Sequence, residues 1–204
     1  MRLGGRLCPS RALLLVCDVQ ERFRTLIWRS ESVIHRSALL CNACRILEIP
    51  IIVTEQNPKA FGPTVSEIRE TFKPEEPLFF SKKMFSMLTP ELISKWKDTK
   101  AFEGRDQVIL VGIEAHVCVL QTVLDLIDQQ PSVNLFVVSD AVSSQRSHDR
   151  SVALGRMENC GATISTAESV VFELLRTSEH PNFRQISSLI KETNALPNEF
   201  AHDG

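Results

Sequence analysis

Residues 107–118, Gln107-Val108-Ile109-Leu110-Val111-Gly112-Ile113-Glu114-Ala115-His116-Val117-Cys118, decide the fold. The run Gln107 to Ile113 has no polar alternation, which suits a strand buried on both faces, as in parallel sheets. The apolar segment Ala115 to Gln129 is long enough for a helix, so a sharp turn joins a buried strand to the helix that covers it. The same alternation extends in both directions. Upstream, Ala12 to Val19 reads as a strand, Glu31 to Glu48 as an amphipathic helix stopped by Pro50, and Ile51 to Glu55 as a second strand. A loop rich in proline and glycine, Asn57 to Thr64, leads to a short helix over Val65 to Glu70, a strand Leu78 to Ser81 and a helix Thr89 to Lys97. Downstream come a strand Asn134 to Val138, a helix Ser147 to Asn159 stopped by Gly161, and a strand Ala162 to Ser165. Ser165 and Glu168 fit a capping box for a helix Glu168 to Arg176, and Asn182 to Lys191 gives a last helix. The pattern predicts a three-layer αβα, doubly wound parallel sheet of six strands in one domain over 1–204, with a core from about 10 to 191 and a frayed tail over 192–204.

Charge and composition remove several classes of function. Lys and Arg number 23 against 25 Asp and Glu, a net charge of -2, so no basic field draws nucleic acid or an anionic membrane. Neither partner is expected. Met1 to Cys17 carries Arg2, Arg6 and Arg11 and an apolar stretch from Ala12, which admits a targeting peptide, but that stretch is too short for a secretory core or a membrane span. Six cysteines in a chain this long, about 3%, are too dilute for a disulfide scaffold, and the expectation is a reduced, cytoplasmic protein. The eight glycines (4, 5, 62, 104, 112, 155, 161 and 204) form neither G-x-G-x-x-G nor a P-loop, which excludes the common dinucleotide and NTPase sites. Histidines 35, 116, 148, 180 and 202 lack metal-ligand spacing, and no G-x-S-x-G elbow is present. No cofactor and no metal are expected.

Ligands of doubly wound sheets bind at the carboxyl ends of the strands, so chemistry is sought there. Asp18 closes the first strand, Lys82 and Lys83 follow the third, and Cys118 stands in the first turn of the helix after the fourth. A helix N-terminus and a nearby ammonium favour a thiolate, Asp18 suits a general base, and exposed turn amides suit an oxyanion. Each group also has an ordinary structural role. Cysteine packs well in apolar helices, aspartate caps turns, and paired lysines sit on solvated surfaces. Cys41-x-x-Cys44 lies within the amphipathic helix and reads as packing, as do Cys8, Cys17 and Cys160.

Four segments together carry a resemblance: Val16-Cys17-Asp18-Val19-Gln20-Glu21-Arg22-Phe23, Val53-Thr54-Glu55-Gln56, Ser81-Lys82-Lys83-Met84-Phe85-Ser86-Met87, and Gly112-Ile113-Glu114-Ala115-His116-Val117-Cys118. Across almost the whole chain the sequence resembles the isochorismatase-like cysteine hydrolases, and within them the animal isochorismatase domain-containing group, type 2 more than type 1. The resemblance implies strand order 3-2-1-4-5-6, a triad of Asp18, Lys82 and Cys118, and Lys82 rather than Lys83 as its lysine. It also implies a cis peptide at Ile113-Glu114 and an oxyanion hole from the amides of Glu114 and Cys118. Metal-dependent nicotinamidases carry Asp-x-His after the second strand, where this chain has Thr54-Glu55-Gln56-Asn57-Pro58, so that metal site is not expected. Isochorismatases proper cleave a vinyl ether and can lack the cysteine, so Cys118 points to acyl chemistry at a small amide-like C–N bond. A small-molecule substrate and a homo-oligomer are implied. The rival expectation is a non-catalytic binding or scaffold protein that keeps the fold.

Overall fold

In the computed structural model, which describes residues 5–72, 78–197 and 200, the apolar segments form β1 (Ala12–Cys17), β2 (Ile51–Gln56), β3 (Leu78–Lys82), β4 (Gln107–Ile113), β5 (Asn134–Ser143) and β6 (Thr163–Ser165). They make one sheet in the order β3-β2-β1-β4-β5-β6, and every neighbouring pair is parallel. The helices are α1 (Ser30–Ile46), α2 (Pro58–Phe61), α3 (Ser66–Arg69), α4 (Pro90–Asp98), α5 (Leu120–Gln129), α6 (Ser147–Asn159), α7 (Ala167–Leu175) and α8 (Phe183–Asn194).

The unbroken apolar run of β1 has a simple cause: the strand is central, and helices cover it on both sides. Ala12, Leu14 and Val16 pack with Ile34 and Leu40 of α1, Val170 and Leu174 of α7 and Ile186 of α8. Leu13, Leu15 and Cys17 pack on the other face with Leu92 of α4, Val123 and Leu126 of α5 and Met157 of α6. All six β1 residues are 0% exposed, and each leucine so buried contributes about 1.5–3 kcal/mol.

Several boundaries differ from the sequence expectation. The fifth strand does not end at Val138 but runs to Ser143, because the register against β4 shifts between Leu110 and Gly112 and pairing resumes at Gly112–Val142 and Ile113–Ser143. Arg150 supports this irregular stretch by donating to the carbonyls of Ser139 and Val142. The cap of α7 is Thr166, whose Oγ1 accepts from Ser169 N at 3.4 Å, while the Ser165 carbonyl accepts from Ser139 Oγ at 3.0 Å. The loop after β2 holds the short α2, with Pro58 at its first position. The segment Ala115 to Gln129 divides into a π-helical turn, Ala115–Val119, and α5. The last helix runs on to Asn194, and in the stretch expected to fray Phe200 packs edge-on against Trp28 at 5.6 Å between ring centres. The rest of that stretch beyond Pro197, residues 198, 199 and 201–204, lies outside the described residues.

Gly112 is the residue the sheet demands at its centre. It pairs with Cys17, has φ +122°, and a Cβ there would stand 2.0 Å from the Cys17 carbonyl oxygen. Only glycine lets β1 and β4 approach so closely at their carboxyl ends.

Candidate active site

The order of strands brings the ends of β1, β3 and β4 to one side of the sheet, at the point where the chain reverses its winding. Asp18, the first residue past β1, adopts φ 52°, a left-handed conformation that aspartate tolerates, and the residue is 1% exposed. Oδ1 accepts from Thr54 Oγ1 at 2.8 Å, and Oδ2 accepts from Lys82 Nζ at 2.6 Å and more weakly from Cys17 Sγ at 3.6 Å.

Lys82, the last residue of β3, is buried beside this carboxylate and is not the surface residue that its position in a Lys-Lys pair suggests; Lys83 is exposed. Its ammonium also donates to Gln56 Oε1 at 2.8 Å, Phe85 O at 2.8 Å and Met84 O at 3.1 Å. Burial opposes the charge, but the electrostatic interactions with Cys17, Asp18 and Cys118 and the hydrogen bond to Asp18 outweigh it, so the Lys82 pKa lies above that of an ordinary lysine. Lys82 is therefore a cation at neutral pH.

Cys118 lies in the π-helical turn, where Val119 N reaches back to Glu114 O at 3.2 Å. Its turn is pinned from below: Thr122 Oγ1 donates to Cys118 O at 2.7 Å and accepts from Met87 N at 2.9 Å, which ties the Lys82 loop to the cysteine. The Ile113-Glu114 peptide is cis, as the resemblance implied. The Glu114 carboxylate accepts from Gln145 N at 2.9 Å, and His116 Nδ1 lies 2.9 Å from Ser144 Oγ, so both side chains are engaged with the loop after β5.

One neighbour was read otherwise in the sequence. Cys17 is more than a packing residue, since its Sγ, an Asp18 oxygen and Cys118 Sγ all lie within 4.8 Å of one another. Three such atoms form a donor set for a soft metal ion, but Asp18 is already bound by Thr54 and the Lys82 cation, which opposes a second positive charge. Burial, with Cys118 and Asp18 adding to it, pushes the Cys17 thiol well above the usual range, so it stays protonated. Of the other cysteines, Cys41 and Cys44 are fully buried core residues, Cys8 is half-buried and Cys160 exposed, so packing does not describe the last. Thr54, Gln56 and Thr122 escaped the sequence reading as site residues. For the first two the only signal was their presence in the Val53–Gln56 segment that carries the resemblance.

Comparison with known proteins identifies the family and the fold. The isochorismatase domain model matches residues 12–169, a span that includes all six strands and the three strand-end residues. The chain is 44% identical, over 96% of its length and 92% of the relative, to a protein of Phytophthora sojae named secreted isochorismatase effector Isc1. It is 42% identical to isochorismatase domain-containing protein 2 of Danio rerio, over 91% of the chain and 90% of that protein. A solved structure from Caenorhabditis elegans, named MAR1 ribonuclease, superposes with a TM-score of 0.86 at 40% identity, covering 98% of this chain and 99% of that one.

Proposed function

The chain belongs to the isochorismatase domain family of hydrolases, and on that premise we propose that it is a cysteine hydrolase that opens a small amide-like C–N bond through Cys118. The observation that carries the reading is the meeting of a thiol, a carboxylate and a buried ammonium: Cys118 Sγ within 4.8 Å of an Asp18 oxygen, and Lys82 Nζ 2.6 Å from Asp18 Oδ2.

Asp18 accepts the Cys118 thiol proton as sulfur attacks the carbonyl carbon, and Lys82 supplies the positive charge beside the sulfur anion that forms. The C=O π bond opens to an oxyanion held by the amides of Glu114 and Cys118. The oxyanion collapses, the C–N bond breaks, and the amine leaves with the proton from Asp18. Water then attacks the thioester with Asp18 again as base, releasing the acid and free Cys118. Binding of Asp18 by Thr54 and Lys82 fixes the base in place, so the step begins from an ordered geometry.

The test is a panel of small amides with intact-mass detection. The wild type accumulates an acyl adduct or releases amine, Cys118→Ala does neither, and Asp18→Asn is slowed by about 100-fold or more, the usual loss on removing a general base. Product formed undiminished by Cys118→Ala overturns the nucleophile. The ribonuclease name of the C. elegans relative gives a second arm: cleavage of labelled RNA, lost in Cys118→Ala, would move the chemistry to phosphodiesters. No turnover in either arm, with a ligand still bound, would leave the scaffold reading.

A further inference from the structure

We propose that Cys17 and Cys118 form a peroxide-responsive thiol pair, which closes to a disulfide across the mouth of Asp18. Cys17 ends β1 and Cys118 stands in the turn after β4; these strands are neighbours, and the missing Cβ of Gly112 draws their ends together. The two Sγ atoms lie within 4.8 Å of each other, with an Asp18 oxygen in the same cluster. A disulfide needs about 2.05 Å. Rotation about one Cα–Cβ bond between staggered positions carries a sulfur by about 3 Å, enough to span the gap.

The pair is asymmetric in the way such chemistry requires. Cys118 is 7% exposed and accessible to hydrogen peroxide, whereas Cys17 is 0% exposed and has Cys118 as its reachable partner. The Cys118 thiol passes its proton to Asp18 as its sulfur attacks one peroxide oxygen; an S–O bond forms, the O–O bond breaks, and the departing hydroxide takes that proton from Asp18 to leave as water. Cys17 Sγ then attacks the sulfenic sulfur while its proton passes to Asp18 Oδ2, 3.6 Å away. The S–S bond forms, the S–O bond breaks, and the hydroxide takes that proton and leaves as a second water. Two thiols have been oxidised and one peroxide reduced. The disulfide shields Cys118 from irreversible oxidation and removes its free thiol until a dithiol restores it.

The proposal shares Cys118 with the hydrolase reading, but its readout is a mass and not a turnover, so either fails without the other. The reduced full-length chain is treated with hydrogen peroxide, alkylated, digested without reductant and mapped by mass spectrometry. The expected product is a cross-linked Cys17–Cys118 peptide pair lighter by two hydrogens, abolished by dithiothreitol, with the Cys41 and Cys44 peptides unchanged. In Cys17→Ser and Cys17→Ala, checked for native circular dichroism, Cys118 advances instead to the sulfinate, which dithiothreitol does not reverse. Sulfinate at Cys118 of the wild type with Cys17 still a free thiol overturns the proposal, as does a disulfide that joins Cys118 to Cys8 or Cys160. The wild-type map decides the matter even where a variant misfolds.

Discussion

Replacing Lys82 by methionine is the sharpest perturbation of this site, because it keeps the length and apolar stem of the side chain and removes only the cation. Lys82 Nζ is bound to Asp18, Gln56, Met84 and Phe85 with 0% of the side chain exposed. Removing one partner of a buried pair costs about 3–5 kcal/mol, chiefly because the other charge is stranded. A separate bound comes from chemistry: an aspartate in water releases its proton near about pH 3.9, so a stranded carboxyl escapes by taking a proton, which at neutral pH costs about 4 kcal/mol at most. The two agree, and the expected loss for Lys82→Met is about 4 kcal/mol, or a fall of about 8–16 °C in Tm for a chain of this size. The bound also gives a pH signature. In the variant the carboxyl is more basic folded than unfolded, so its deficit shrinks by about 1.4 kcal/mol for each pH unit below neutral until the unfolded aspartate is protonated too. Urea unfolding at about pH 5, 6 and 7 reads this directly, and Asp18→Asn/Lys82→Met regains most of the loss by removing the stranded charge. A deficit under about 1 kcal/mol, or one flat with pH, or a double variant no better than the single, would refute the argument that Lys82 neutralises Asp18.

Gly112→Ala sets a Cβ 2.0 Å from the Cys17 carbonyl at a positive φ, so it costs about 1–3 kcal/mol for the backbone alone and displaces Cys17 and Asp18; Gly155→Ala, inside α6 with open space around it, gains about 0.5–1 kcal/mol. Equal Tm shifts for the two glycine variants would contradict this. Burial holds Cys17, Cys41 and Cys44 protonated, Cys44 to about 12, while unfolded thiols ionise near about 8.5. Folded values above unfolded ones mean full stability below about pH 8.5 and a progressive loss as pH rises towards those folded values, with the share of Lys82 lost only above about pH 10.4. The chain contains no tyrosine, so thiolate absorbance reports the transition without phenolate overlap, and a urea midpoint unchanged from about pH 7 to 10 would sink the reasoning. At the acid end, Arg24 holds Glu67 at about 2 through bonds of 2.9 and 2.8 Å, a depressed value whose stability is present above about pH 4.3 and lost on acidification. The pair is a quarter to a third exposed and contributes modestly, so the expected effect of Arg24→Gln is a shallower acid limb; superimposable limbs would show that the pair adds nothing.

What the sequence disclosed follows from the range of the forces involved. Hydrophobic period and strand-end position are local, so the alternation of elements, Asp18 and Cys118 were legible from residues near them in the chain. Burial of Lys82 was not: beside Lys83 it looks like solvated surface, and only the resemblance distinguished it, because the acceptors that permit its burial come from β1, β2 and its own loop. Cys17 packs in the core as expected, but its neighbour went unseen for the same reason. Its place beside Cys118 depends on β1 pairing with β4 across a glycine, a contact between segments about a hundred residues apart that no window of sequence displays. The extension of β5 past Ser139-Asp140 came from a register shift against β4, and polar residues within a strand are poor guides where the ladder is irregular.

The residues that set the geometry of the site are therefore mostly not the reactive ones. The reactive atoms sit where they do because Asp18 turns left-handed, Gly112 lacks a Cβ, Thr54 holds the second carboxylate oxygen, and Thr122 joins the Cys118 turn to the loop that holds Lys82. Apart from Asp18 itself, none of these supplies a nucleophile, a base or a charge. Each fixes a distance, and a displacement of about 1 Å is enough to cost a positioned reaction 100-fold. The same contacts also satisfy buried polar atoms that would otherwise cost about 1–3 kcal/mol each, so stability and reactivity draw on one set of bonds. On the proposed mechanism, substitutions at these positions lower both together, whereas Cys118→Ala removes the nucleophile and leaves Asp18, Lys82 and their partners in place. Comparing the two kinds of variant separates a site that reacts from one that is merely well built.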